Sequence, residues 1–133
     1  MLTRILLTAV LIVLCAGSAA YAEWAVVGAN DDETTVIFVD PNTIRHKGDI
    51  VKWWELWDLK TMNTREGFSY LSAKMQVEYD CVEERSRTLA VTYFSGNMGR
   101  GEVVDLSSNG DEWSPVVPES IGQVMWNAAC SKK

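Results

Sequence analysis

The amino-acid sequence predicts an α+β fold, in which a single antiparallel meander sheet of about six strands has one C-terminal helix packed on it. One observation is that most of the chain consists of short runs rich in β-branched and aromatic residues, separated by Gly, Pro, Asn and Asp clusters. Another is that the apolar residues near the C-terminus change to helical spacing. The length of 133 residues, with 47% hydrophobic and 23% charged residues, suits one globular domain.

The first 22 residues are predicted to be a signal peptide that is cleaved, which leaves 23–133 as the domain. Arg4 supplies the positive start, an apolar run covers 5–17, and Ala20-Tyr21-Ala22 provides small residues for cleavage before Glu23. The run is shorter than the ~20 apolar residues of a transmembrane anchor. We therefore expect no transmembrane anchor after cleavage.

Cys15 raises the alternative of a lipoprotein signal, in which a cysteine at the end of the apolar run carries the lipid. The residue before such a cysteine is normally small, whereas Leu14 stands here. Lipid anchoring at Cys15 is therefore not favoured. The expected product is an exported protein of the periplasm or cell surface.

The exported domain is acidic. Cleavage removes Arg4, the only charged residue of segment 1–22, so the formal net charge goes from −6 to −7. Nucleic-acid binding is not expected, because there is no basic excess to displace counterions from phosphates.

The predicted strands alternate with short polar connections. Their ranges are 23–28, 34–39, 49–60, 68–79, 87–95 and 102–106. The third strand has apolar residues on both faces, which is typical of a central strand that is covered on each side. The fourth alternates between apolar and polar residues, which predicts one buried and one solvated face.

The connections contain turn signals. Asp40-Pro41-Asn42 and His46-Lys47-Gly48-Asp49 predict two reversals before the third strand, and 60–67 is interpreted as a polar connection after it. Segment 96–101 contains three glycines, which would cradle phosphate only if a helix followed; because the next residues look extended, a hairpin loop is predicted. In the turn-rich segment 107–118, Trp113 is predicted to pack inward.

A helix is predicted over 121–129, because its apolar residues fall on one stripe. The stripe consists of Ile121, Val124, Met125, Ala128 and Ala129. Ser120 directly precedes this helix and Gln123 lies in its first turn, and together they form a capping box.

Two cysteines remain after cleavage, Cys81 and Cys130. In an oxidising compartment the simplest interpretation is a disulfide between them, which would tie the helix to the turn after the fourth strand. A metal pair is the alternative, but it lacks further ligands, since no Cys-x-x-Cys is present.

No catalytic, cofactor or metal site is indicated. His46 is the single histidine and lies in a predicted turn between Arg45 and Lys47, with no Ser or Cys partner. The acidic segment 30–33 lacks the spaced ligands of a calcium loop. We therefore predict that the protein is not an enzyme and uses no cofactor.

Three of the six tryptophans, Trp53, Trp54 and Trp57, lie within five residues of the third strand. Two interpretations stay open: the indoles pack in the core and across strands, or they form a recognition surface on a face that the helix does not cover. Arg45 and Lys47 flank this strand and would supply a basic rim. These five residues are the candidate binding surface.

Short motifs in a definite order extend over nearly the whole mature chain. They are VDPNTIR at 39–45, Lys47-Gly48, Tyr70-Leu71-Ser72, EYDC at 78–81, Ser95-Gly96, Met98-Gly99, Trp113, Pro118, Trp126 and Cys130. In this order and spacing the sequence resembles the surface-adhesin protein E-like family of exported proteins of Gram-negative bacteria. The resemblance implies an antiparallel sheet with a C-terminal helix linked by the cysteine pair, a tendency to dimerise through the sheet, and adhesion to host extracellular-matrix proteins without enzymatic activity.

The expected function is that of a non-enzymatic exported envelope or surface protein, an adhesin-like binder of a host or envelope macromolecule. One alternative is a periplasmic carrier with a tryptophan-lined pocket between helix and sheet, and another is a structural protein. A periplasmic enzyme is disfavoured, because nucleophile, base and metal ligands are lacking.

Overall fold

The computed structural model describes residues 23–108 and 112–131. The predicted signal peptide and Cys15 lie outside these residues. Within them, no helix is both long and apolar enough to cross a membrane.

The described chain forms one antiparallel sheet with a single α-helix at its C-terminal end, which confirms the predicted α+β meander. The strands are β1 Ala25–Ala29, β2 Thr35–Val39, β3 Arg45–Lys47, β4 Ile50–Arg65, β5 Phe68–Asp80, β6 Arg85–Phe94, β7 Val103–Ser107 and β8 Ser114–Pro115, and the helix is α1 Ile121–Ser131. The main path runs β1-β2-β4-β5-β6-β7, while β3 pairs with β4 and β8 with β6. Each strand of the main path therefore lies beside its neighbour in sequence, except that β3 intervenes between β2 and β4.

The prediction of a polar connection over 60–67 is wrong. β4 continues to Arg65, which pairs with Phe68 in β5, after a register shift between Asp58 and Asn63. Glu66 and Gly67 close the hairpin, both with positive φ (46° and 89°), as a two-residue turn that follows the twist of the strands requires. The polar side chains misled the prediction, because an exposed hairpin is held by its backbone ladder and needs no apolar residues.

The reversal predicted at 46–49 is tighter than expected. Only Gly48 and Asp49 form the turn, since Lys47 pairs with Ile50, and Gly48 has a φ of 58°. Arg45 and Lys47 therefore lie in the short edge strand β3. The Asp40 turn is confirmed, because the Asp40 side chain accepts a hydrogen bond from the Asn42 amide at 3.0 Å.

The core lies between one face of the sheet and α1. Its buried members are Ile37, Val39, Val51, Trp53, Val77, Tyr79, Met125 and Ala129. In the predicted helical stripe, Met125 and Ala129 are fully buried, whereas Val124 remains 41% exposed at the edge of the contact. The helix approaches β1 closely at Gly28, where a Cβ atom would lie 2.9 Å from Val124 Cγ1.

Cys81 and Cys130 form the predicted disulfide, with their Cα atoms 5.5 Å apart. Beside it, Trp126 Nε1 donates a hydrogen bond of 2.8 Å to the Asp80 carbonyl oxygen. The C-terminal half of α1 is therefore attached to the end of β5 by a covalent bond and a hydrogen bond.

The other face of β4 is covered in part by the segment 96–101. Ser72, fully buried, donates from Oγ to the Gly96 carbonyl oxygen at 2.6 Å and accepts from the Gly99 amide at 2.9 Å. The Met98 amide donates to Asp58 Oδ1 at 2.7 Å. This segment connects β6 to β7, as predicted, and it also packs over the sheet where Leu56 is buried.

Candidate functional site

The three clustered tryptophans do not form one surface. Trp53 and Trp57 point to the face that carries α1; Trp53 is 1% exposed and Trp57 is half-buried against the core. Trp54 points to the opposite face, because successive strand residues alternate. Trp53 is therefore removed from the candidate binding surface, since its ring is enclosed between sheet and helix.

Arg45 and Lys47 share a face with Trp54. In the ladder between β3 and β4, Arg45 pairs with Lys52 and Lys47 pairs with Ile50, and directly paired residues project to the same side. Lys52 precedes Trp54 by two residues and so lies on the same side as well. We name this group, Arg45, Lys47, Lys52 and Trp54, the basic face.

Acidic residues on the adjoining strands are already paired. Glu78, opposite Lys52, forms an ion pair of 2.9 Å with Arg87 Nη2, and Asp80, opposite Ile50, forms one of 3.0 Å with Arg85 Nε. Burial acts to raise the pKa of Asp80, but hydrogen bonds from the Glu83 and Val82 amides and from Arg85 outweigh it, so that the pKa is lowered.

The cations of the basic face form no ion pair within the described residues. Arg45 Nη1 donates to the carbonyl oxygens of Asn42 and Ile44, at 3.0 and 2.9 Å. Lys47 is exposed and Lys52 half-exposed. A local excess of positive charge therefore stands on a domain whose net charge is negative.

Trp113 lies against two arginines of β6. The guanidinium carbons of Arg85 and Arg87 are 4.6 and 4.4 Å from the centre of its ring. Its predicted inward packing is thus a half-buried contact with charged side chains. Sequence reasoning did not identify Arg85 and Arg87. The signal available was that these arginines of β6 would lie opposite the acidic residues Glu78 and Asp80 of β5.

A second feature that sequence reasoning missed lies inside the core. Glu55 is 1% exposed, and the Tyr79 hydroxyl donates to both of its carboxylate oxygens, at 3.0 and 3.2 Å. Burial raises the pKa of Glu55 to about 7, although Tyr79 and the indole N–H groups of Trp57 and Trp53 act in the opposite direction. Alternation places Glu55 on the same face as Trp53 and Trp57, but only the fold shows how deeply it is buried.

Catalytic and metal-binding arrangements are not apparent in the described part of the chain. No group of three His, Cys, Asp or Glu side chains there is placed to hold a metal ion, and His46 is exposed in β3. An open groove of about 1100 Å³ runs alongside β6, and a smaller one of about 200 Å³ lies between β1 and the start of α1. The carrier hypothesis requires a pocket lined by tryptophan, and neither groove has a tryptophan in its lining.

Comparison with known proteins adds a family and a fold. The model of the surface-adhesin protein E family matches residues 24–131. Crystal form II of Haemophilus influenzae protein E superposes with a TM-score of 0.60 at 10% identity, covering 80% of this chain and 87% of that one. The selenomethionine form of the same protein gives a TM-score of 0.61 at 9% identity, covering 80% and 86%. No curated protein matches the sequence.

Proposed function

This chain belongs to the surface-adhesin protein E family, and from that premise we propose that it is a non-enzymatic exported protein that binds an extracellular or envelope macromolecule through the basic face. Export would follow from cleavage after residue 22, to the periplasm or the cell surface. The disulfide between Cys81 and Cys130 supports an oxidising compartment.

The basic face is the observation that carries the residue-level proposal. α1 covers part of one side of the sheet, and the segment 96–101 covers part of the other side. On that other side the area around Trp54 is partly accessible, with Arg45, Lys47 and Lys52 around it. Trp and Arg are both enriched in protein interfaces, and here Trp54 and Arg45 share one face with cations that form no ion pair within the described residues.

The charge pattern indicates the chemistry of the partner. The domain repels acidic molecules at long range, because its mature net charge is −7, whereas the basic face attracts them at short range. We therefore expect an acidic segment of a protein as the partner. Binding should weaken with added salt, since exposed charges are screened beyond about 8 Å at physiological ionic strength.

The test is a binding assay of the purified mature domain against immobilised extracellular-matrix proteins and envelope protein fractions. The double variant Lys47→Glu/Lys52→Glu should lose most of the binding, and Trp54→Ala should weaken it. The double variant Lys60→Glu/Arg65→Glu is the matched control, because both residues are exposed in the outer part of β4 and the two substitutions change the net charge by the same amount. The residue assignment is wrong if Lys47→Glu/Lys52→Glu binds as well as the control, and the adhesin-type function is wrong if the unaltered domain retains no partner.

Homodimerisation through the sheet also remains an expectation. Sizing the mature domain by light scattering tests it separately, and the charge-reversal variants show whether the basic face contributes. A dimer that persists in Lys47→Glu/Lys52→Glu would place the contact elsewhere.

A further inference from the structure

Glu55 is the most deeply buried acidic side chain among the described residues, with 1% of it exposed. It pairs with Val39 of β2 and Met75 of β5, so apolar neighbours flank it on both strands. Two of its closest polar neighbours, Trp53 and Tyr79, belong to the cluster that α1 covers with Met125 and Ala129. The carboxyl group is therefore shielded from solvent by both layers of the fold.

The polar groups around Glu55 are hydrogen-bond donors. Tyr79 donates to both carboxylate oxygens, and its ring meets the Trp53 ring edge-on, with centroids 5.5 Å apart. Trp53 and Trp57 lie two residues before and after Glu55 on the same face. Their buried Nε1 atoms make no hydrogen bond among the described residues, but the indole N–H groups still act to lower the pKa of Glu55.

Within the described residues, Glu55 forms no ion pair. β2 and α1 contain no charged residue, and on this face of β5 the neighbours are Ala73, Met75, Val77 and Tyr79. From β6, Val91 and Tyr93 face the same side. Tyr79 and Tyr93 are titratable side chains on this face, and burial raises the pKa of both hydroxyls. His46 and Asp105 share this side through their pairing with Val51 and Tyr93, but both are exposed. The exposed Arg65 guanidinium lies 6.0 Å from the centre of the Tyr93 ring.

Two opposing effects therefore meet at one carboxyl group. Burial without a counter-ion favours the protonated form, whereas the hydrogen bonds from Tyr79 and the nearby indole N–H donors favour the ionised form. Because the donors are neutral, they offset only part of the cost of burial.

We propose that Glu55, with Tyr79, Trp53 and Trp57, forms a buried proton-binding site that makes the closure of α1 on the sheet proton-linked. The protonated site is the more stable one, and ionisation weakens the core that holds helix and sheet together. An exported protein that meets varying external pH would then be most tightly closed under mildly acidic conditions.

The direction of the pH dependence follows from the two protonation states. Glutamate has an ordinary pKa of 4.5, and the pKa of Glu55 in the folded protein is about 7. Between these values the folded protein binds more protons than the unfolded chain, so the Glu55 contribution to stability is complete below pH 4.5 and is lost as the pH rises through 7. The unfolding equilibrium constant should therefore rise on the order of a hundredfold over this window, since each unit of pKa shift is a factor of ten.

The direct test is a titration of the intact mature domain labelled with ¹³C at the glutamate carboxyl carbons. One resonance should titrate with a midpoint near neutral pH. The proposal is overturned if every glutamate carbon has completed its titration by about pH 5.5. This measurement requires no variant, so it tests the proposal even if substitution of Glu55 prevents folding.

Glu55→Gln then links the titration to stability. The variant keeps the shape and an acceptor for Tyr79 but cannot ionise, so its unfolding free energy should not decline between pH 4.5 and 7.5 as that of the unaltered protein does. Glu102→Gln, at an exposed position, is the control and should retain the decline. Identical pH profiles for Glu55→Gln and the unaltered protein would refute the link.

Discussion

The Tyr79 hydroxyl group donates to both carboxylate oxygens of Glu55, at 3.0 and 3.2 Å, inside the layer between sheet and helix. Tyr79 of β5 pairs with Val51 of β4, four residues before Glu55, so the bond links the neighbouring strands diagonally. Both side chains are buried. This contact satisfies the two polar groups together, and each would be costly to leave alone.

We expect Tyr79→Phe to lower the free energy of unfolding by about 2 kcal/mol at pH 8, because a buried carboxylate loses its hydroxyl donor while the ring packing stays. At pH 5, where Glu55 is protonated, the loss should be smaller. Urea denaturation at the two pH values measures the difference. Tyr70→Phe is the control, since within the described part of the chain the Tyr70 hydroxyl accepts a hydrogen bond only from the exposed Asn63 amide, and its loss should be small at both pH values.

Cys81→Ser should lower the free energy of unfolding by about 4 kcal/mol in oxidising buffer, because the disulfide closes a loop with a sequence separation of 49 residues. Under reducing conditions the variant and the unaltered protein should unfold alike. Thermal or urea unfolding in both buffers provides the comparison. A variant as stable as the oxidised protein would contradict a structural role for the bridge.

Gly28→Ala should destabilise the fold by about 1–3 kcal/mol, because the new Cβ would lie 2.9 Å from Val124 Cγ1 and would push α1 away from β1. Gly122→Ala is the matched control, and we expect it to raise the free energy of unfolding. A Cβ there has Ser120 Oγ at 3.4 Å as its neighbour, and alanine favours the helix by up to about 1 kcal/mol. Equal effects of the two substitutions would show that the close approach at Gly28 does not matter.

Ser72→Ala should lower the free energy of unfolding by about 1–3 kcal/mol, since the Gly96 carbonyl oxygen and the Gly99 amide both lose their partner beneath the segment 96–101. Hydrogen exchange should show faster opening at the Gly99 amide. Ser108→Ala, at an exposed position, should leave stability unchanged within about 0.5 kcal/mol. Unchanged exchange at Gly99 would mean that other contacts hold this segment.

Several elements were predictable because local patterns decide them. The alternation along β5 indicated that Ala73, Val77 and Tyr79 face the core, although the face predicted to be solvated also contains the buried Ser72 and Asp80. The helical stripe indicated that Met125 and Ala129 would be buried. The cysteine pair also followed from compartment and count. In each case the deciding interaction lies within a few residues, or only one pairing is possible.

Other elements were missed because backbone pairing decides them. β3 and the outer part of β4 are polar and exposed, so no hydrophobic period marks them, and their hydrogen-bond ladders form only because a partner strand lies alongside. The candidate binding surface changed for the same reason. The register of β3 against β4 brings Arg45 beside Lys52 and places both with Trp54 rather than with Trp53.

The sequence by itself determined the class of fold, the number of main strands, the helix and the disulfide, and it determined that Glu55 shares a face with Trp53 and Trp57. Only the tertiary structure decided which face of β4 the helix covers, since both faces are apolar and either could have been enclosed. That choice buries Glu55 with Tyr79 and leaves Trp54 among the cations of the basic face. The physical reason is that alternation sets the side of a residue, whereas burial depends on a layer contributed from a distant part of the chain.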